Sequence, residues 1–291
     1  CLHGSHERFS HLDKFRGGPV MDVIRTVEGL RQMGHLGAGA GAFGAPDEVM
    51  LLSTGPASHL AKHSMIARPP RSRAVLRQPV ELPSRGKVSN PLEGEPAWSK
   101  AGPLTASVQR WSQGAWHEDR ALSAPNLADL MRALEAAMLS PEPFVQQAEG
   151  WPLRPFLSGA FAYDLVQWTQ PINVQHPPHG GALLAVIWAV DGALLIDHAT
   201  GSAHRLHTEG DAWAKRVPLA DERPTPPPSE RPMKPDSSMD DAQHAKAIEQ
   251  VKRSIVEGRM YQVNIGRRWT GPLPDEPWDV MRRLLEGNPA P

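Results

Sequence analysis

The sequence lacks a second cysteine, a net charge and a long apolar run, and each absence excludes a class of protein. Its single cysteine, Cys1, cannot form an internal disulfide, which favours a reducing cytoplasm. The 31 Lys and Arg residues against 32 Asp and Glu residues leave a formal charge of -1, so no global field attracts nucleic acid or an anionic membrane. The longest apolar run, residues 182–190, is well short of the roughly 20 residues of a spanning helix and predicts a buried strand.

Both ends of the sequence read as cut. It opens with Cys1 rather than methionine and stops at Pro291 inside a turn-like Asn-Pro-Ala-Pro sequence. Residues 1–20 lack the charged-then-apolar order of a signal peptide, so export is not indicated. We therefore expect a chain that is truncated at its C-terminus.

A glycine-rich segment, residues 39–44, matches the pattern G-x-G-x-x-G. A dinucleotide site requires a strand before this pattern and a helix after it. Here a helical pattern over residues 20–33 precedes the glycines and Pro46 follows them. The segment is therefore predicted to be a flexible linker.

Apolar periodicity along the chain predicts an α+β fold with a meandering antiparallel sheet. Besides the helix over 20–33, a second amphipathic helix is expected over 126–139, with Asn126 as its N-cap. Strands are expected over 49–54, 156–165, 183–190 and 193–197. Asp191 and Gly192 between the last two strands are a strong signal for a two-residue hairpin.

Six prolines between residues 218 and 238 predict an exposed, extended linker. After it, Ser238 and Asp241 resemble a capping box at the start of a helix that should end at Gly258. A strand over 259–269 and a helix over 279–285 are expected to follow.

Histidines are grouped at 176 and 179 and at 198, 204 and 207. Neither group includes a cysteine or two ligands at i and i+4 of one helix, as a zinc site would. Solvated loop histidines are therefore the preferred interpretation.

One segment is more specific than all of these patterns. Residues 248–265, which end in Tyr261-Gln262-Val263-Asn264-Ile265, resemble the helix, turn and Y-Q-V-N-L strand of chorismate-utilising enzymes. Residues 288–291 are similar to the N-P-x-P motif of that family, at the expected distance. Three upstream segments also resemble family motifs, namely MLLSTG at 50–55, FLSGAFAYDL at 156–165 and LLIDH at 194–198. The resemblance covers residues 48–291.

The resemblance implies a two-layer α/β sandwich with large antiparallel sheets, as in anthranilate synthases. It implies a poorly matched N-terminal extension over 1–46 and an N-terminal domain over 47–217. The proline-rich linker over 218–238 would then lead to the start of an incomplete chorismate-binding domain over 239–291.

Within the family, Tyr261 and Asn264 resemble aminodeoxychorismate synthases, whereas anthranilate synthases usually carry F-Q-V at this strand. Ser53 and Thr54, in place of Glu-Ser, resemble the same branch. The implied enzyme aminates chorismate with Mg²⁺ and ammonia from a glutaminase partner, and its catalytic residues and metal ligands are expected beyond residue 291. Anthranilate synthase is the first alternative, and a non-catalytic amino-acid-binding or interaction module is the second.

The resemblance also implies half of a tryptophan effector pocket. Its matching positions are Thr54, Leu60, Lys62, His63 and Pro291. For Lys62, a solvated surface charge is an equally good interpretation.

Overall fold

The computed structural model describes residues 22–37, 40–53, 61–79, 102–145, 150–170, 178–216, 219–221, 224–228, 235–272 and 275–287. These residues form two compact units that divide between residues 222 and 223. In the described residues, the larger unit has two antiparallel sheets, two α-helices and two short 3-10 helices, and the smaller has two α-helices and a two-stranded ribbon. The expected mixed α/β fold with antiparallel sheets is therefore confirmed.

The larger sheet has five antiparallel strands. They are Ser72–Arg77 (β3), Leu104–Ser112 (β4), Ala115–Ala124 (β5), Phe156–Phe161 (β6) and Leu183–Val190 (β7). Their order is β5-β4-β3-β7-β6. Gln113 and Gly114 join β4 to β5 with φ values of 52° and 78°, the left-handed pair that suits a tight hairpin turn.

A helix, Leu127–Met138 (α2), covers one face of this sheet. Asn126 begins it by accepting a 2.9 Å hydrogen bond from the backbone N–H of Asp129. Leu130, Leu134 and Met138 are buried in the main core, together with the inward residues of the sheet. The helix predicted over 126–139 is thus found with its predicted cap.

The smaller sheet has four antiparallel strands. They are Met50–Leu51 (β1), His63–Ala67 (β2), Gly192–Asp197 (β8) and Ser202–His207 (β9), in the order β1-β2-β8-β9. Strand β8 is buried on both faces, which explains its continuous apolar sequence. The first helix, Val23–Gln32 (α1), is capped by the carboxylate of Asp22 and buries Val27 and Leu30 completely. It matches the helix predicted over 20–33.

The prediction of a hairpin at Asp191 and Gly192 is wrong. Strand β7 pairs with β3 and β6, whereas β8 pairs with β2 and β9. The chain therefore leaves one sheet at Val190 and enters the other at Gly192. A turn signal between two apolar runs reports a change of direction, but it does not determine which strands become partners.

The smaller unit begins with the two-residue strand Asp236–Ser237 (β10) and the helix Asp241–Val256 (α3). The helix starts with a capping box, but the pair is Asp240 and Gln243 rather than Ser238 and Asp241. Gly258 follows the helix with φ of 70°, as its predicted role requires.

The prediction of a strand over residues 259–269 is also wrong. Only Trp269–Thr270 (β11) is in a ladder, and its partner is β10. Residues 260–268 have the alternation of a strand but no neighbouring strand among the described residues. Because strand hydrogen bonds come from a partner, alternation alone does not make a strand.

The last helix, Pro277–Gly287 (α4), contacts the proline-rich segment. Arg283 donates to the carbonyl oxygen of Pro226 at 3.2 Å, and Arg282 donates to the hydroxyl of Thr225 at 3.1 Å. Residues 224–228 are extended and mostly exposed, as expected, but they are held by these contacts. In the part of the chain that the structure describes, none of the helices has the length and apolar character needed to cross a membrane.

Candidate functional site

The smaller sheet brings together two of the segments that resemble family motifs. Strand β2 pairs with β1 on one side and with β8 on the other, so Met50 faces Ile66 and His63 faces Asp197. The segments MLLSTG at 50–55 and LLIDH at 194–198 are therefore separated by a single strand. Ser53 and His198, which follow β1 and β8, lie at the same edge of the sheet, the one formed by the C-terminal ends of these two strands.

Ser64 joins these two segments at that edge. Its hydroxyl accepts a 2.9 Å hydrogen bond from the backbone N–H of Ser53 and lies 2.9 Å from Nε2 of His198. Ser53, Ser64 and His198 are named here the Ser64 cluster. The cluster fixes the end of β1 against the end of β8, because both contacts meet on one buried hydroxyl.

The electrostatic surroundings of His198 favour a neutral imidazole. Burial lowers its pKa, the nearby His63 lowers it further, and Asp197 opposes both. Nε2 of a neutral ring can accept the proton of the Ser64 hydroxyl, whose other acceptor is the carbonyl oxygen of Ser53 at 3.3 Å. The carboxylate of Asp197 is itself engaged by the N–H groups of Ala199 and Thr200, at 2.8 and 3.3 Å. Burial raises the pKa of Asp197, but these hydrogen bonds outweigh it and the net shift is downward.

The serine–histidine contact does not form a nucleophilic site. Ser64 is only 1% exposed, and its oxygen already accepts the N–H of Ser53. A substrate carbonyl cannot approach such an oxygen without unpacking the sheet. The Ser64 cluster is therefore a positioning element, and catalysis is not assigned to it.

Two of the five predicted effector residues lie beside this cluster. Lys62 is exposed, and its carbonyl oxygen accepts a 2.9 Å hydrogen bond from the N–H of His198. His63 is exposed at the start of β2, and its ring meets that of Trp151 edge-on, with centroids 5.0 Å apart. The other three predicted positions, Thr54, Leu60 and Pro291, lie outside the described residues.

Sequence reasoning missed Ser64 and Trp151. Trp151 also contacts the ring of His204, with centroids 5.2 Å apart, so it links β2 to β9. The sequence gives little indication that Ser64 is important, because it is one small polar residue before the apolar Met65 and Ile66. Its importance depends on His198, which is 134 residues away in the chain.

The described histidines do not form a metal site. In the described ranges, no three His, Cys, Asp or Glu side chains are placed so that they could hold a metal ion. His198, His204 and His207 are half-buried, and the last two lie in β9, so they are not the solvated loop histidines that were expected. Polar contacts of their rings include Ser64 for His198, Ser202 for His204 and the carbonyl of Thr208 for His207.

Gly159 explains one of the glycines in the segment FLSGAFAYDL. It lies in β6 opposite Ile187, and a Cβ atom there would be 2.7 Å from the carbonyl oxygen of Val186. Only glycine permits this approach of β6 to β7. That glycine of the motif is therefore a packing requirement of the larger sheet.

The segment Tyr261-Gln262-Val263-Asn264 follows the turn at Gly258 in the smaller unit. All four side chains are exposed, and Tyr261 is 94% exposed. No described residue covers this tyrosine to any large extent.

Comparisons with known proteins place these observations in a wider context. A family model described as chorismate binding enzyme matches residues 97–291. Comparison with curated protein sequences gave no match. Among solved structures, the chain is similar to anthranilate synthase component I from Streptococcus pneumoniae TIGR4, at 15% identity and a TM-score of 0.42. The similarity covers 80% of this chain and 47% of that one, so the chain spans about half the length of the matched structure.

Proposed function

Because the chain belongs to the chorismate-binding enzyme family, whose model matches residues 97–291, we propose that it functions in an aminodeoxychorismate synthase component I. Such an enzyme replaces the C4 hydroxyl of chorismate with ammonia and yields 4-amino-4-deoxychorismate, a precursor in folate synthesis. The ammonia would come from a glutaminase partner.

The observation that carries this proposal is the segment Tyr261-Gln262-Val263-Asn264, which lies inside the matched family region. Tyr261 and Asn264 are the residue types that distinguish the aminodeoxychorismate branch from the F-Q-V sequence of the anthranilate branch. Ser53, which follows β1, supports the same branch, since it stands where anthranilate synthases carry a glutamate.

The proposed reaction includes Mg²⁺, which would stabilise the negative charge of the chorismate carboxylate when bound. None of the described residues is assigned to this ion, because they contain no suitable cluster of His, Cys, Asp or Glu. The described residues instead supply a scaffold. The Ser64 cluster fixes one edge of the smaller sheet, and Gly159 allows β6 to pack closely against β7 in the larger sheet.

The same edge is the proposed place of a tryptophan effector pocket. Lys62 and His63 lie there with exposed side chains, beside the aromatic ring of Trp151. An amino-acid ligand needs a polar partner for each of its charged groups, since an unpaired buried charge is costly. A cationic side chain and an aromatic ring together suit a carboxylate and an indole.

The test is an assay of the protein expressed from its complete reading frame, with chorismate, Mg²⁺ and ammonium. Aminodeoxychorismate, identified by mass spectrometry, is the expected product, and reactions without ammonium are the control. Fluorescent anthranilate as the main product would replace the proposal by its first alternative. Chorismate left unchanged, together with binding of an amino acid, would favour the non-catalytic module.

A second assay examines the branch-specific residues. The double substitution Tyr261→Phe and Asn264→Val changes the segment toward the anthranilate pattern. Reduced formation of aminodeoxychorismate, with unchanged thermal stability, is expected if this segment contributes to the active enzyme. The neighbouring substitution Arg268→Lys, on an exposed side chain, serves as the control.

A further inference from the structure

A cleft of about 350 Å³ lies where one end of the larger sheet meets the C-terminal end of α2. Three adjacent strands form its floor, because Ser72 of β3 pairs with Arg110 of β4, and β3 runs beside β7, which contributes Ala189. The end of α2 and the residues after it, Ala137 to Ser140, form one wall. Its volume is within the range of about 300 to 1,000 Å³ that is usual for small-molecule sites.

Two buried polar atoms on the lining residues of this cleft have no hydrogen-bond partner among the described residues. They are the hydroxyl oxygen of Ser72, a residue that is 3% exposed, and Oδ1 of Asp191. The other oxygen of Asp191, Oδ2, forms an ion pair with Arg68 at 3.6 Å. A buried polar atom without a partner costs about 1 to 3 kcal/mol, so such atoms are uncommon unless a ligand or a water satisfies them. Both residues line the same cleft, which makes a shared ligand the simplest partner.

The cleft also carries positive charge. Arg71 is exposed and forms no ion pair with the described residues. Arg110 is tied to the wall, since its Nη2 donates to the carbonyl oxygen of Ala137 at 3.0 Å, and its Nε forms an ion pair with Asp119 at 3.7 Å. Burial raises the pKa of Asp191, while Arg68 and, more weakly, Arg71 lower it. The cleft thus presents an acidic group and basic groups within one small space.

These charges restrict the ligand. A simple anion would face the Asp191 carboxylate, and a simple cation would face the guanidinium groups of Arg71 and Arg110. A zwitterion satisfies both, and the remaining lining residues, including Met138, Leu139 and Pro155, offer an apolar wall for a side chain.

We infer that this cleft binds a free α-amino acid, with its ammonium group on Asp191 and Ser72 and its carboxylate on Arg71 and Arg110. The cleft is separate from the proposed effector edge. Asp191 immediately precedes Gly192 at the start of β8, whereas His63 pairs with Asp197 at its end. Six strand residues separate these ends by about 17 Å, at roughly 3.4 Å per residue.

The experiment uses the full chain and a panel of single L-amino acids, followed by saturation-transfer NMR and calorimetry. L-Alanine, L-serine, L-leucine and L-glutamate are the first probes, each compared with its N-acetyl and amide forms. At least one free amino acid is expected to bind, and both blocked forms are expected to bind at least about tenfold more weakly, because each loses one charged contact.

Two variants locate the site. Arg71→Gln is expected to weaken binding about tenfold, whereas Arg77→Gln, on an exposed arginine at the other end of β3, leaves it unchanged. Ser72→Ala is expected to weaken binding without lowering the unfolding temperature, because it removes a hydroxyl that has no partner in the described fold. Lys62→Gln changes only the proposed effector edge and is expected to leave binding of the four first probes unchanged.

Two results would overturn the inference. One is that no amino acid of the full set of twenty binds below about 10 mM, which is weaker than any specific contact of this kind should give. The other is that binding occurs but is the same in Arg71→Gln, Ser72→Ala and the wild type.

Discussion

Asp47 accepts a 2.8 Å hydrogen bond from the indole nitrogen of Trp188 across 141 residues of chain. Its carboxylate also accepts the indole nitrogen of Trp116 at 3.2 Å and a guanidinium nitrogen of Arg73 at 2.9 Å. Arg73 in turn lies 4.3 Å above the ring of Trp116. One half-buried carboxylate therefore attaches the segment before β1 to strands β3, β5 and β7 of the larger sheet.

Replacing this carboxylate should destabilise the larger unit. We expect Asp47→Ala to lower the free energy of unfolding by about 2 to 4 kcal/mol, because three donors lose a charged acceptor at once. Urea denaturation monitored by tryptophan fluorescence measures the change. Glu209→Ala, on an exposed carboxylate of the larger unit, is the control and should change stability by less than about 1 kcal/mol. Equal effects of the two substitutions would contradict the assigned role of Asp47.

Adding a methyl group at Gly159 should separate β6 from β7. We expect Gly159→Ala to cost about 1 to 3 kcal/mol, since its Cβ would lie 2.7 Å from a backbone oxygen that has little freedom to move. Gly266→Ala is the matched control, because no atom lies within 4 Å of its added Cβ and its φ is not positive. Thermal unfolding of both variants provides the comparison, and an unchanged midpoint for Gly159→Ala would refute the close contact.

The stability of the larger unit should fall in mild acid because of His198. Burial lowers the folded-state pKa of this residue below the usual value of about 6.5, so the unfolded chain binds its proton first as the pH falls. The stabilising contribution is therefore complete above the unfolded pKa and is lost as the pH falls toward the folded pKa. Unfolding free energies between about pH 8 and about pH 5 should decline more steeply in the wild type than in His198→Gln.

His35, whose pKa burial also lowers, is present in both proteins and cancels in this difference. An NMR titration of the His198 ring gives an independent value. A pKa above the ordinary range, or parallel pH profiles for the two proteins, would show that the imidazole is not held neutral by its surroundings.

Tryptophan binding at the effector edge should depend on Lys62. In the protein from the complete reading frame, Lys62→Gln is expected to weaken tryptophan binding about tenfold by calorimetry, through loss of a charge-assisted contact. Lys215→Gln, on another exposed lysine of the larger unit, is the control. Flat titrations for the wild type would indicate that no tryptophan binds at this edge. Equal affinities for the wild type and Lys62→Gln would indicate that Lys62 is a solvated surface charge that does not contact the ligand.

Elements with strong local signals could be predicted from the sequence, whereas their partners could not. The helix capped by Asn126 and the apolar strand that ends at Val190 were both found because their patterns are complete within a few residues. The pairing of β7 and β8 was predicted wrongly, since Asp191 and Gly192 are compatible with both a hairpin and a crossing between sheets. Pairing is decided by strands that lie far away in the sequence.

In the candidate site, too, residues within a local motif could be predicted, and residues that act through distant contacts could not. Lys62 and His63 were identified only because neighbouring segments resemble family motifs. Ser64 and Trp151 act through contacts with His198 and His204, which no local pattern reveals. The cleft between the larger sheet and the end of α2 was missed for the same reason, since Ser72, Arg110 and Asp191 belong to three separate strands or strand ends.

The crossing at Asp191 also constrains how the protein can be made. The larger sheet cannot complete its hydrogen-bonding ladders until Val190 has left the ribosome, because β3 pairs with β7. The smaller sheet needs residues up to His207, because β2 pairs with β8 and β8 pairs with β9. Contacts of such long range make folding slow, and during synthesis they leave unpaired the sides of β2 and β3 that later bind β8 and β7. A pause in translation shortly before codon 190 would prolong that exposure, whereas a pause after codon 207 would allow both sheets to close together.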